Sequence, residues 1–295
     1  MSHIHHHHHH HSDQSSDRGL IFAVSINILL TAFQFIGGLI SGSLALIADA
    51  LHNLSDAASL GIAIIARKIS RKPADDFKTF GYKRAETIAA LINLTILVVI
   101  SIYLVYEAVW RFISPSSING EIIIIVAGIA LVIDLVTAFI TLRLSKNNLN
   151  MKAAFLHNLS DALSSLAVII SGVLISIYQW FWIDSFLTMV LALFILYQAF
   201  VMLPKTIHLL MEGAPETIDI NDIKSSISNL KNIEDVHHVH IWSLDEKTIA
   251  LEAHIVANIN TFDEMEALKQ LVKQELADKF NITHSTLEFE HEMMC

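Results

Sequence analysis

Six long apolar stretches limit most strongly what this chain can fold into. They cover approximately residues 19–42, 44–66, 87–110, 121–143, 153–178 and 182–204. A helix needs about 20 apolar residues to cross the roughly 30 Å hydrocarbon core of a bilayer. Only 16% of the 295 side chains are charged, whereas soluble domains carry about 25%. The sequence therefore predicts a membrane α-helical bundle of six transmembrane helices.

The polar breaks between these stretches predict helix ends and orientation. Pro73, Pro115 and Pro204 fall in or beside breaks, where residues that interrupt helices are expected. Of the 13 Lys and Arg residues in 18–205, all but Arg111 lie on one side of an even-helix topology. Because cytoplasmic loops are rich in Lys and Arg, we expect a multi-pass integral membrane protein with both termini in the cytoplasm.

The two ends of the chain differ from the apolar middle. Residues 1–17 hold eight of the 17 histidines, as a natural disordered tail or a purification tag would, and they are left out of the fold prediction. Residues 18–211 form the predicted six-helix domain. Residues 212–295 have a soluble α+β pattern in the order αββαβ, with Thr261 as the N-cap of the second helix.

This last segment is strongly acidic. It carries 17 acidic and six basic side chains, a net charge of −11, which accounts for the chain's −10. Such a surface repels nucleic acid and attracts cations. We therefore expect no nucleic-acid partner.

A repeated motif carries the chemistry. The sequence HNLSDA occurs at His52–Ala57 and again at His157–Ala162, inside the second and fifth apolar stretches. A His and an Asp four residues apart lie on one face of a helix. Two such faces supply two imidazole nitrogens and two carboxylate oxygens, a tetrahedral ligand set that Zn²⁺ accepts. The four predicted ligands are His52, Asp56, His157 and Asp161.

Other interpretations of these polar residues stay open. The His–Asp pairs could instead hydrogen-bond and hold helices together. Asn53 and Asn158 could support the ligands from behind, and Asp49 could be an outer ligand, a proton relay or a packing group. Four further polar residues lie within or beside apolar stretches, and each is a candidate for a direct role: Asn27, Asn93, Asp134 and Asp184.

With these motifs the chain resembles the cation diffusion facilitators. The resemblance rests on the six helices, the doubled HxxxD, the PADD and FGYKRAE segments after the second helix, and the αββαβ tail. It implies the zinc/cobalt branch of the family, a ferredoxin-like cytoplasmic domain and a homodimer. It also implies efflux of a divalent metal in exchange for protons, and in a bacterium the inner membrane.

The resemblance also implies further metal sites. In the tail, it places ligands at His237, His254 and Glu290. Nearby candidates are His238, His240, His284, His291 and Cys295. Because side chains alternate along a strand, we expect His238 and His240 on one face and His237 on the other. The family's loop site after the second helix is predicted to be absent or impaired, since Tyr82 stands where relatives have a histidine.

The predicted function is therefore efflux of a divalent cation, Zn²⁺ above all and Co²⁺ or Cd²⁺ as alternatives, by metal/proton antiport. The tail is predicted to regulate it by binding metal. A cation channel and an intramembrane metal-dependent enzyme are the rival classes. Catalytic zinc keeps an open position beside three protein ligands, and channels use weak, multiple sites, so a four-ligand cage favours a transporter.

Overall fold

The computed structural model describes residues 28–144, 149–245, 248–259 and 261–290. Those ranges contain eight helices and three strands. The helices are α1 (Ile28–Ser41), α2 (Leu44–Ser70), α3 (Ala85–Ile113), α4 (Gly120–Leu144), α5 (Leu149–Tyr178), α6 (Trp182–Leu210), α7 (Ile220–Ser228) and α8 (Phe262–Phe280). The strands are β1 (Ile233–Ser243), β2 (Ile249–Ala257) and β3 (Ile282–Glu290).

Four of these helices are long and apolar enough to cross a membrane. Within the described ranges they are α3, α4, α5 and α6, each strongly apolar over at least 18 residues. Helix α2 has the length but carries the polar motif residues and a basic last turn. Helix α1 is apolar but shorter over its described part. The prediction of a multi-pass membrane protein is confirmed. The number of six transmembrane helices stays a prediction.

The end of the last membrane helix was predicted wrongly. Pro204 lies inside α6, which continues to Leu210. A proline removes only one helical hydrogen bond, here to the Phe200 carbonyl, and membrane helices tolerate such interruptions. The apolar stretch ends near residue 204, but the helix does not.

Small residues let the membrane helices approach closely. A β-carbon added at Gly120 of α4 would lie 2.4 Å from the carbonyl oxygen of Gly172 on α5, so only glycine fits there. Beside this crossing, a buried cluster joins α2, α4 and α5 through Leu46, Ile123 and Val168. This packing holds the two helices that carry the motif.

Large apolar side chains on the opposite faces are exposed. Examples are Ile96, Tyr103, Val132 and Tyr197, which are 49–68% exposed. A water-soluble monomer does not present so much contiguous apolar surface. We infer that these faces contact lipid.

The chain divides into two compact units. One comprises the residues up to Ile62 together with Asn93–Phe200, and the other comprises Ala63–Ile92 together with the residues from Val201 onward. The polar ends of α2, α3 and α6 thus belong to the same unit as the C-terminal α+β segment.

The C-terminal segment has the predicted αββαβ order. Strand β1 pairs antiparallel with β2, and β2 pairs parallel with β3. One face of the sheet packs against α7 and α8, where Ile227, Leu251, Ile255, Val272 and Leu276 are buried. The Thr261 hydroxyl accepts the Glu264 N–H at the start of α8, which confirms that N-cap.

Candidate metal centres

The two copies of the motif meet inside the membrane unit. Helix α2 supplies His52 and Asp56, and α5 supplies His157 and Asp161. His157 Nε2 lies 3.3 Å from Asp56 Oδ2 and 3.5 Å from Asp161 Oδ2. His52 Nε2 lies 3.7 Å from Asp56 Oδ2 and 3.7 Å from Asp161 Oδ1. Each imidazole therefore faces both carboxylates.

These separations suit ligands around one ion better than hydrogen bonds. An N–H···O hydrogen bond spans about 2.7–3.2 Å. Four ligands about 2.0–2.1 Å from a tetrahedral Zn²⁺ stand about 3.3 Å from one another. In addition, His52 Nδ1 and Asp56 Oδ2 are buried without a hydrogen-bond partner among the described residues. Two carboxylates would also balance the charge of a divalent cation.

The four side chains are not equally accessible. Asp161 is 11% exposed and His52 16%, whereas Asp56 is 31% and His157 48% exposed. One ligand atom from each of His52, Asp56 and Asp161 lies within 4.8 Å of the others. His157 completes the set from the more exposed side.

A second layer of polar side chains lies next to the centre. Asp49, one turn before His52, accepts hydrogen bonds from Gln34 Nε2 at 2.7 Å and from Ser164 Oγ at 2.5 Å. Asn53 Nδ2 donates to Gln34 Oε1 at 3.1 Å. This hydrogen-bond network joins α1, α2 and α5. Asp49 therefore has a structural role in holding the three helices together.

The remaining membrane candidates also have partners. Asp134 accepts from Ser165 at 3.0 Å, Asn158 donates to Thr141 at 3.4 Å, and Asn93 donates to Ser59 at 2.6 Å. Asn27 lies outside the described residues.

Asp184 has a specific structural role. Its carboxylate accepts from the Leu44 N–H at 2.7 Å, from the Ala45 N–H at 3.4 Å and from the Ser43 hydroxyl at 2.5 Å. The first amides of a helix have no partner within the helix, and the helix dipole favours an anion there. Asp184 therefore caps α2, the helix that carries the first motif.

The open face of the C-terminal sheet holds a second group of candidate ligands. His237 Nε2 lies 3.3 Å from Glu290 Oε2, and His254 Nδ1 lies 2.7 Å from Glu290 Oε1. His237 Nδ1 lies 3.0 Å from Asp235 Oδ2. A carboxylate behind a histidine commonly orients the other ring nitrogen toward a metal. His237 Nε2 and Glu290 Oε2 are indeed buried without a hydrogen-bond partner among the described residues.

The prediction that His237 and His240 lie on opposite faces of β1 is wrong, whereas the His238 and His240 rings do lie together, with centroids 4.7 Å apart. His237 pairs with His254 and His240 pairs with Glu252, so two residues of β1 stand opposite one of β2. His238 lies in this bulge with φ of 48°. Because the extra residue shifts the alternation, His237 and His240 fall on the same face of the sheet.

Other predicted ligands lie elsewhere. The His284 ring contacts Phe80, with ring centroids 5.5 Å apart. His291 and Cys295 lie outside the described residues.

The loop after α2 uses its aspartate for its own structure. Asp75 accepts from the Tyr82 hydroxyl at 2.7 Å and from the backbone N–H groups of Phe77 and Lys78. The Tyr82 bond, followed by the Lys78 bond, lowers the pKa of the Asp75 carboxyl below its usual value. That the loop lacks a metal site remains a prediction. Its physical basis is the hydrogen bond that Asp75 accepts from the Tyr82 hydroxyl.

Two family models match nearly the whole chain. The cation efflux transmembrane domain matches residues 20–211, and the cation efflux protein cytoplasmic domain matches residues 215–292. The chain belongs to the cation diffusion facilitator family. The resemblance inferred from its motifs is thereby confirmed, and this facilitator is a transporter and not an enzyme.

Named relatives of the facilitator are efflux proteins. It is 39% identical to the "Cadmium, cobalt and zinc/H(+)-K(+) antiporter" of Bacillus subtilis, over 90% of this chain and 87% of the relative. It is 36% identical to "Metal cation efflux system protein CzcD" of Cupriavidus metallidurans, over 93% and 87%. It is 33% identical to "Zinc transporter ZitB" of Escherichia coli, over 99% and 92%.

A solved structure also matches the facilitator. It is the metal-bound C-terminal domain of the CzcD transporter, 37% identical, with 25% of this chain and 99% of that chain covered and a TM-score of 0.23.

Sequence reasoning missed several residues at the facilitator's two centres. Gln34 and Ser164 hold Asp49, and their only signal was polarity within an apolar stretch. Asp235 and Glu288 contact His237 and His254. The sequence feature that could have identified these two residues is an acidic side chain in a strand that carries or neighbours histidines.

Proposed function

We propose that this facilitator exports Zn²⁺ from the cytoplasm in exchange for protons, through a site formed by His52, Asp56, His157 and Asp161. The observation that carries the proposal is the meeting of both HxxxD motifs, with each imidazole nitrogen 3.3–3.7 Å from two carboxylates. The named relatives support zinc, cadmium or cobalt as cargo and proton exchange.

The ligand chemistry accounts for coupling to protons. A metal binds ionised carboxylates and neutral imidazoles, so its binding releases any protons that these groups hold. Protons that enter from the outer side compete for the same lone pairs and release the metal. Histidine suits this exchange because its unperturbed pKa of about 6.5 lies near the working pH.

The proposed membrane topology of this chain is that of the family. Helices α1 and α2 also cross the bilayer, which makes six spans in residues 18–211, and both termini are cytoplasmic. The side with Arg67, Lys68 and Arg143 faces the cytoplasm because basic residues concentrate there. In a bacterium this is the inner membrane.

The test is zinc-driven proton flux in sealed proteoliposomes. Asp161→Asn keeps the shape of the side chain but removes a charge and a metal ligand, so we expect flux to fall at least about 100-fold, the upper end of losses seen when even an outer-shell partner is removed. Asp76→Asn is the matched control, since it makes the same change in the exposed loop.

The outcomes separate the alternatives. Equal flux in the wild type and Asp161→Asn would show that the motif is structural. Zinc flux that neither saturates nor responds to a pH gradient would favour the channel. Loss of flux in Asp76→Asn as well would point to the loop after all.

The C-terminal centre is proposed to regulate this transport. His237, His254 and Glu290 bind a cytoplasmic metal, and a homodimer provides the setting. The segment 212–295 has a net charge of −11, so two copies repel each other, and bound cations reduce that repulsion. Metal binding is therefore expected to tighten the dimer.

Dimerisation of the full chain in liposomes, with and without zinc, tests this role. The Asp56→Asn/Asp161→Asn background removes the contribution of the membrane site. Zinc should strengthen association in that background, and His254→Ala should abolish the effect. Equal association with and without zinc would contradict a regulatory centre.

A further inference from the structure

The bulge in β1 brings a second set of ligands to His254. One ligand atom each from His238, Glu252 and His254 lies within 4.8 Å of the others, the same limit that is met by His237, His254 and Glu290. The ring centroids of His238 and His254 are 4.6 Å apart, and those of His237 and His254 are 5.5 Å apart. Both triads therefore include the same imidazole.

The position of His238 requires an unusual backbone. Its φ of 48° is in the left-handed region, which few residues other than glycine adopt, although histidine is among those enriched there. Bulges redirect side chains and are common next to functional sites. Here the bulge places His238 close to His254. In a regular strand, His238 would instead lie on the opposite face from His237.

Glu252 completes this second set. It follows the shift in register, pairing with His240 and lying two residues before His254 on the same face of β2. Two imidazoles and one carboxylate form a ligand set that Zn²⁺ and Co²⁺ accept. Glu252 stands in no motif that the sequence singled out.

We propose that His238, Glu252 and His254 form a second metal position that competes with the His237–His254–Glu290 triad for His254. A neutral imidazole has one nitrogen that donates and one with a free lone pair, so His254 binds one metal at a time. The domain then holds one ion in either of two overlapping positions. This inference rests on the C-terminal centre proposed above.

Co²⁺ binding to the full-length protein in nanodiscs tests the proposal. The background carries Asp56→Asn and Asp161→Asn, and the eight histidines of residues 1–17 are replaced by alanine, so that only the C-terminal centre is observed. The absorption of bound Co²⁺ reports its ligands and geometry. Glu290→Gln should still bind one Co²⁺, with a changed spectrum, because the ion moves to the second position. Glu252→Gln/Glu290→Gln should bind it at least about tenfold more weakly than Glu290→Gln, as expected for a lost ligand.

Two comparisons control the result. Glu234→Gln/Glu290→Gln removes a carboxylate of β1 outside both triads and should match Glu290→Gln. His254→Ala should remove Co²⁺ binding from both positions.

Each outcome decides the matter. If Glu290→Gln binds no Co²⁺, or if adding Glu252→Gln changes nothing, the second position does not exist although the first stands. If the background protein itself binds no Co²⁺, the proposed C-terminal centre fails, and the second position fails with it.

Discussion

At the scale of residues, the hydroxyl of Ser164 links the second motif to Asp49. It donates to Asp49 Oδ1 at 2.5 Å, and Ser164 lies three residues after Asp161 on α5. We expect Ser164→Ala to weaken Zn²⁺ binding at the membrane site about tenfold, because groups behind the ligands commonly affect metal affinity by 10–100-fold. Calorimetric titration of the purified protein in nanodiscs measures this.

Ser171→Ala is the matched control for that titration. The Ser171 hydroxyl is buried two turns further along α5 with no hydrogen-bond partner among the described residues. Its removal should leave affinity unchanged. Equal affinities in both variants would mean that Asp49 does not support the site.

Tyr82 and Asp75 give a pH-dependent prediction. The Tyr82 hydroxyl is the main cause of the lowered pKa of Asp75. A lowered carboxyl pKa means that the ionised form stabilises the folded loop above the ordinary pKa, and that this stabilisation is lost as the pH falls through the lowered value. Tyr82→Phe should raise the Asp75 pKa toward its ordinary value.

NMR titration of the labelled Asp75 carboxyl carbon in the full-length protein measures that change. Tyr106→Phe, which removes a hydroxyl from α3 far along the chain, serves as the control. An Asp75 pKa that stays lowered in Tyr82→Phe would assign the effect to the backbone N–H groups of Phe77 and Lys78.

The meeting of the four candidate membrane ligands follows from the sequence in part, because each His–Asp pair is local. His52 with Asp56, and His157 with Asp161, share a helix face by spacing alone. Glu252 and Gln34 could not be predicted in this way, since their neighbours depend on strand register and on helix packing across many residues. The bulge at His238 has no sequence signature that alternation can detect.

At the scale of elements, the start of α2 depends on a residue from α6. Asp184 accepts the Leu44 and Ala45 N–H groups. A buried donor left without a partner costs about 1–3 kcal/mol. Asp184→Ala should therefore lower the thermal stability of the protein in detergent, and Asp184→Asn, which keeps one acceptor oxygen, should lower it less.

Zinc affinity separates this structural role from a functional one. The folded fraction of Asp184→Ala should bind Zn²⁺ with nearly wild-type affinity. Wild-type stability with lost affinity would make Asp184 part of the transport machinery.

The N-cap of α8 gives a smaller effect. Thr261→Ala removes the acceptor of the Glu264 N–H, and such caps contribute about 1 kcal/mol. Hydrogen exchange in the first turn of α8 should become about fivefold faster, the factor that corresponds to 1 kcal/mol. Thr261→Ser should restore the wild-type rate, and unchanged exchange in Thr261→Ala would contradict the assignment.

Element types were easier to predict than element ends. Periodicity and length identified the apolar helices and the αββαβ order. They placed the end of α6 at Pro204 because apolar character stops there, whereas backbone hydrogen bonding continues to Leu210. Helix α2 is the least apolar of the long membrane-unit helices because it carries a copy of the motif and also a basic last turn.

At the scale of the whole molecule, the charge distribution predicts how the proposed dimer responds to salt. Residues 212–295 have a net charge of −11, compared with −10 for the whole chain. Raising the salt from about 0.01 M to 0.1 M shortens the screening length from about 30 Å to 10 Å. Metal-free subunits should therefore associate more strongly at the higher salt. Zinc should reduce this dependence of association on salt.

Subunit association measured by energy transfer between labelled copies in liposomes tests this prediction. The His254→Ala variant should keep the full salt dependence in the presence of zinc. Association that weakens with added salt would show that attraction between opposite charges dominates the interface.

The unequal exposure of the two motifs implies an order of events. HNLSDA occurs twice without a change of letter, yet His157 is 48% exposed and its counterpart His52 only 16%. We therefore expect ligand exchange to begin at His157 and to end at the more buried His52. The two copies of one six-residue sequence are thus expected to act at different steps of metal release, because the packing around them differs.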